Sequence, residues 1–259
     1  MMHAGRNVNR GTIDTTSAAG QFGRYKKEEK KEVRQANVRE SESIRQIIEV
    51  WKTFDSSEIT KGWSIKMREP YNKLLERIKH INYSANDVEK FSIMLIGFQD
   101  ERDFEFKAGL FLSALINNGK DRNYVIHIAN LEKEVACFGY LNTKNISING
   151  DIGQFFAFNM IEGEITVNGS AKGVMAQGIK GGTIIIKRHV LVSKLIFNSV
   201  GVGDDMQGGD IQVYGNVYGI VGLRMSGGEI YVGGVFQQLG SEFRGGRIYN
   251  MGEWIYPKQ

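Results

Sequence analysis

The sequence predicts a mainly β protein: a parallel β-helix whose first coil is capped by an N-terminal α-helical region. Three observations carry this reading. First, Ile146, Ile165, Ile184, Ile211, Ile230 and Ile248 recur at an almost constant interval, which is stretched only between Ile184 and Ile211. A period of about 20 residues is the signature of a solenoid. Second, all but the last are followed two positions later by an apolar residue (Ile148, Val167, Ile186, Val213 and Val232), and alternate residues share one face of a strand. Third, 24 of the 32 glycines lie between Gly139 and Gly252. Each glycine costs a helix about 1 kcal/mol, so this region suits short strands between tight corners. An antiparallel barrel or sandwich is the alternative, but it should show irregular spacing and polar turns about every 8–12 residues. The fixed spacing favours the solenoid.

Taken in order, residues 1–24 are rich in Gly, Ser, Thr and Asn, and disorder is expected there. Residues 25–39 have mixed charge and few apolar anchors. Ile44, Ile47, Ile48 and Trp51 then fall at helical spacing. A second helix is expected from Tyr71 to Ile81, with Leu74, Leu75, Ile78 and Ile81 on one side. Ser84 to Asp87 offers a helix cap. The helix expected over 101–117 is apolar on all sides (Ala108, Leu110, Phe111, Leu112, Ala114, Leu115, Ile116), and such a helix is buried between two bodies. An open solenoid end needs cover, so this helix is expected to cap the first coil, with the other helices outside it. That coil begins at residues 124–128, with Ile126 and Ile128 aligned under Ile146 and Ile148. The domains are therefore 1–39, a basic tail; 40–118, a helical cap; and 119–259, the β-helix.

The formal charge is +4, but residues 1–39 hold nine Lys or Arg against four Asp or Glu, so the excess belongs to the tail. A basic tail can touch nucleic acid or an acidic partner, although a solvated terminus is the plainer account. The single cysteine, Cys137, excludes an internal disulfide or a cysteine-based cluster. No apolar run is long enough to span a bilayer, and the N-terminus lacks the apolar core of a signal peptide, so a cytoplasmic protein with no membrane contact is expected.

The phrases MIEGEITVNG (160–169), IKGGTIIIKR (179–188), MQGGDIQVYG (206–215) and MSGGEIYVGG (225–234), with VYGIVGLRM (217–225), carry a family resemblance. The stretch from about 124 to 252 resembles the GXGXG repeat domain found at the C-terminus of the glutamate synthase large subunit and in the C subunit of formylmethanofuran dehydrogenase. The resemblance implies a right-handed parallel β-helix that acts as a spacer or docking surface, while flavin, iron–sulfur, metal and glutaminase chemistry sits on other domains. It implies no cofactor for this chain. Residues 40–118 match neither enzyme, and the irregular coil departs from the pattern, with Arg188 where other coils carry glycine.

No catalytic constellation stands out, and the four histidines lack metal-ligand spacing. The candidates nearest to chemistry are on the irregular coil 187–207: Arg188, His189, Asp204 and Asp205, with Lys187 and Lys194 beside them. Paired carboxylates near bases suit acid–base work on a carbohydrate or related anionic substrate. Turn chemistry for the aspartates and a solvated rim for the cations is the plainer account. Three functions are carried forward. The first is a non-catalytic scaffold or subunit of a larger redox or amidotransferase-like complex, partnered by other subunits or by itself. The others are a carbohydrate-active enzyme using coil 187–207, and a binder of nucleic acid or acidic partners through the tail.

Overall fold

A computed structural model describes residues 41–59, 66–192 and 201–256. The basic tail and Lys194 lie outside these residues. The described helices are α1 (Glu42–Thr53), α2 (Arg68–Ile78), α3 (Ala85–Met94) and α4 (Phe104–Asn118), with a 3₁₀ turn at Leu95–Phe98. Then follow β1 (Asn123–His127), β2 (Asn145–Asn149), β3 (Glu164–Val167), β4 (Ala171–Lys172), β5 (Val174–Met175), β6 (Thr183–Ile186) and β7 (Val190–Leu191). The chain continues with β8 (Gly201–Val202), β9 (Asp210–Val213), β10 (Val217–Val221), β11 (Ser226–Val232), β12 (Phe236–Leu239), β13 (Gly245–Asn250) and β14 (Glu253–Tyr256).

The protein is a parallel β-solenoid. Its first wall stacks β1, β2, β3, β6, β9, β11 and β13, all parallel, and ends with β14 running antiparallel. Ile146, Ile165, Ile184, Ile211, Ile230 and Ile248 lie in direct register up this wall. All six are buried. The second wall pairs β4 with β7 and β7 with the start of β10, while β5 pairs β8 and β8 pairs the end of β10; β12 lies on β10. Met160, Ile179, Met206 and Met225 fill the return corner from inside. The paired glycines of the repeat follow from that packing. At Gly228 φ is +83°, and a Cβ there would sit 2.4 Å from Met206 Cε of the preceding coil.

The irregular coil is regular on both sides of its insertion. Ala171 pairs Val190, one ordinary coil further on, whereas Val174 pairs Gly201, across a coil that is eight positions longer. The extra positions therefore fall between β7 and β8, and the wall resumes in register at β8.

The first coil departs from the expected alignment. Tyr124, not Ile126, lies under Ile146, and Ile126 lies under Ile148. This coil is longer than the regular ones above it. A slip of two keeps every inward residue inward, so periodicity alone could not fix the register.

Two helices share the capping of this coil, where the sequence reading gave the task to residues 101–117 alone. Helix α3 is entered through a capping box on Ser84 and Asp87. It lies along the open edge of β1, where Ser92 Oγ accepts the His127 N–H at 3.0 Å and Glu89 meets His127 Nε2 at 2.9 Å. Helix α4, buried nearly all round, lies along residues 136–143. Its Glu105 carbonyl accepts from Ala136 N, Ser113 Oγ from Gly139 N, and Asn117 Oδ1 from Thr143 N. Exposed edge groups thus find partners on helices rather than on another chain. The two faces of the coil each present an open edge, and one helix cannot lie along both.

Helices α1 and α2 pack outside through Ile44, Ile47, Trp51, Tyr71, Leu74 and Ile78. Trp51 is ringed by Phe91, Phe98, Phe104 and Phe111, donates to Glu101 at 3.0 Å, and lies under the Lys107 ammonium, which itself bonds Glu101 at 2.7 Å. The helical part ends after Asn118, but helices and coils share one hydrophobic core and fall in one compact unit, Glu40–Gln259.

At the other end, Met251 and Gly252 both take positive φ (49° and 85°) and turn the chain back, so that β14 covers β13. A two-residue turn of this kind matches the twist of a hairpin. Among the described residues no helix is long and apolar enough to cross a membrane.

Candidate functional site

The candidate residues of the irregular coil divide between two corners. Arg188 and His189 stand where the first wall turns into the second, just before β7. Asp204 and Asp205 stand after β8, beyond the whole second wall, roughly 20 Å away at about 3.3 Å per residue. The structure does not bring the four into one groove.

At the first corner, one position carries a ladder of acceptors. Asp151 Oδ1 accepts the Ser170 N–H at 2.8 Å, Ser170 Oγ the His189 N–H at 3.4 Å, His189 Nδ1 the Asn216 N–H at 3.0 Å, and Asn216 Oδ1 the Val235 N–H at 3.1 Å. Each side chain holds the backbone of the coil above it. His189 is the third member of this ladder, and its Nδ1 lone pair is engaged there.

Arg188 belongs to the neighbouring position, which the other coils fill with Gly150, Gly169, Gly215 and Gly234. It lines a cleft of about 350 Å³ together with Glu132, Lys133, Glu134, Asp151, Asn168 and Lys172. Lys172 sits within this cleft between two carboxylates, 3.6 Å from Glu134 and 3.8 Å from Asp151. Among the described residues no ion pair forms with Arg188. Lys172, Glu134 and Asp151 were not singled out by sequence; the substitution of arginine for a corner glycine was the signal pointing here.

At the far corner, Arg224 clamps both aspartates. Nε donates to Asp205 Oδ1 at 2.8 Å, and one terminal nitrogen donates to Asp204 Oδ1 at 2.8 Å and Asp205 Oδ2 at 3.0 Å. Asp205 and Arg224 occupy equivalent places in successive coils, in a ladder of left-handed residues that also holds Leu141, Asn159, Gly178 and Glu242. The hydrogen bonds from Arg224 pull the Asp205 carboxyl below its ordinary range. Burial pushes Asp204 up, outweighing the opposing pull of Arg224. A bidentate pair of this kind ties two coils together, and turn chemistry accounts for these aspartates.

A third feature is apolar. One outward row of the first wall runs Val125, Ser147, Thr166, Ile185, Gln212, Tyr231 and Tyr249, so that, with Tyr214 beside it, the tyrosines gather on the late coils. Tyr231 and Tyr249 stack at 4.5 Å with planes 4° apart, and Trp254 of β14 lies opposite Tyr249. Lys187 lies 4.4 Å above the Tyr214 ring. Together with Gly233 and Gly252 the three tyrosines line a groove of about 480 Å³. Tyr214, Trp254 and Met251 are 56%, 45% and 61% exposed.

No known protein family, curated protein or solved structure matches this chain. Cys137 is fully buried, and burial pushes its thiol far up, away from the reactive thiolate. Among the described residues no three His, Cys, Asp or Glu side chains gather as metal ligands.

Proposed function

We propose that the protein is a non-catalytic scaffold of the GXGXG type, a subunit of a larger assembly to which its β-helix offers a docking wall. The observation that carries this reading is the gathering of Tyr214, Tyr231 and Tyr249 on the outer wall of the late coils, in a strip ending in Trp254 and Met251. Contiguous exposed apolar surface marks sites of association, and Tyr and Trp are the residues that anchor interfaces. The aspartates and the histidine of the irregular coil add to it, because their bonds join coil to coil.

Sedimentation of the protein in native extract tests the reading. The expected result is a species heavier than the 29.1 kDa chain. A Tyr249→Ser/Trp254→Ser variant with an unchanged melting profile should return to the mass of a single chain. Sedimentation of the native protein as a single chain, or an assembly indifferent to that variant, would overturn it.

A further inference from the structure

The polar cleft at the first corner is a separate place from the tyrosine strip, and its chemistry is specific. Four coils build it. The first contributes Glu132, Lys133 and Glu134, the second Asp151, the third Asn168, Gly169 and Lys172, and the fourth Arg188. Gly169 cannot be filled, since a Cβ there would lie 2.4 Å from the Gly150 carbonyl oxygen. The floor of the cleft at Gly169 is therefore bare backbone, and the Gly169 carbonyl accepts the Arg188 N–H of the coil above at 3.2 Å.

The cations and anions of the cleft are used unequally. The Lys172 side chain is about three-quarters buried and already faces the carboxylates of Glu134 and Asp151. Neither Arg188 nor Lys133 has an ion-pair partner among the described residues, and the planar Arg188 fork matches a carboxylate or phosphate oxygen pair. Asn168 spends both amide protons on Asn149 and Ser147, which leaves its carbonyl oxygen as an acceptor. Asp151 keeps an exposed carboxylate edge, its side chain being 45% exposed. A ligand that satisfies this set must present an anionic group to the cations Arg188 and Lys133, and hydroxyl donors to Asp151 and Asn168. A phosphate dianion lacks the donors and would meet the carboxylates of Glu132, Glu134 and Asp151 with like charge. A neutral sugar has the donors but leaves Arg188 unmatched.

We infer that this cleft is a binding site for a sugar acid, a pyranose carrying a carboxylate, seated over Gly169 with its carboxylate on Arg188. The cleft volume is at the small end of ligand pockets, roughly 300 Å³ and upwards, which suits one or two sugar rings. The site stands independently of the docking wall and needs no catalytic step.

Calorimetric titration of the full chain with galacturonic acid and its dimer tests the assignment, with glucose, cellobiose and inorganic phosphate as comparison ligands. Saturable binding of the uronates is expected, at least about tenfold tighter than that of the neutral sugars or phosphate, since one charge-assisted pair is worth about a factor of ten or more. Arg188→Gly installs the residue that the other coils carry at this corner, so the fold is kept, and it should weaken uronate binding by about the same factor. Absence of saturable uronate binding, equal binding of a neutral sugar or phosphate, or indifference to Arg188→Gly would overturn the inference. None of these outcomes bears on the sedimentation test of the scaffold.

Discussion

The His189 Nδ1 accepts the backbone N–H of Asn216, the equivalent position one coil further on, at 3.0 Å. The same role falls to Asp151, Ser170 and Asn216 in other coils, so what the corner requires is an acceptor of suitable reach rather than an imidazole. His189→Asn should melt within a degree or two of the parent. His189→Ala orphans a part-buried amide, at a cost of about 1–2 kcal/mol. Chemical denaturation of the two variants checks this, and equal loss in both would refute the acceptor role.

The seal of the first coil is tested at Gly109. A methyl group there would lie 1.8 Å from the Ala136 carbonyl oxygen. Alanine is the better helix former, so on propensity alone Gly109→Ala would stabilise α4 by about 1 kcal/mol. Overpacking against backbone costs about 1–3 kcal/mol or more and wins. A lowered melting temperature is expected, and a raised one would mean that α4 does not lie on the first coil.

Deletion of residues 193–200 should leave the solenoid intact. It joins Val192 to Gly201 as Gly173 is joined to Val174 one coil below, and restores the regular step. The far-ultraviolet circular dichroism per residue and the cooperativity of melting should be retained. Loss of cooperative melting would show that the insertion holds the wall together.

The Arg224 clamp gives an acid dependence with a defined sign. Asp205 has a folded pKa below its unfolded value, so its contribution is present above about pH 4 and is lost as pH falls through the folded value. Asp204 acts oppositely. Its folded pKa is raised, so ionising it costs stability above that value, and protonation relieves the cost as pH falls. Arg224→Gln removes the partner of Asp205 and leaves Asp204 buried without its cation. The variant should therefore melt lower than the parent at pH 7, with the gap closing near pH 3. A gap independent of pH would mean that the clamp is packing rather than charge.

The solenoid was legible in the sequence because stacking repeats one demand at one spacing. Each inward site needs an apolar side chain, so Ile165, Ile184 and Ile211 repeat as letters. The return corner likewise needs glycine wherever a methionine packs beneath it. The acceptor ladder was not legible, since aspartate, serine, histidine and asparagine all satisfy it and no letter recurs. Nor was the left-handed ladder, where Leu141, Asn159, Asp205, Arg224 and Glu242 stand at positions that glycine would suit. Nor was the clamp on Asp204 and Asp205, since Arg224 stands one coil beyond Asp205 and meets it only through the stacking. The first coil misled because a slip of two positions leaves its inward pattern unchanged.

The reversal at Met251 and Gly252 has a consequence for how long such a molecule can be. A parallel stack has no natural end, since its top edge is a copy of its bottom one and each new layer re-creates the place for the next. Here the helices bond to the edge of the lowest layer and the backward strand pairs with the highest. The two stoppers are indifferent to what lies between them, so whole coils can be inserted or removed in the middle while both ends, and whatever they meet, stay as they are.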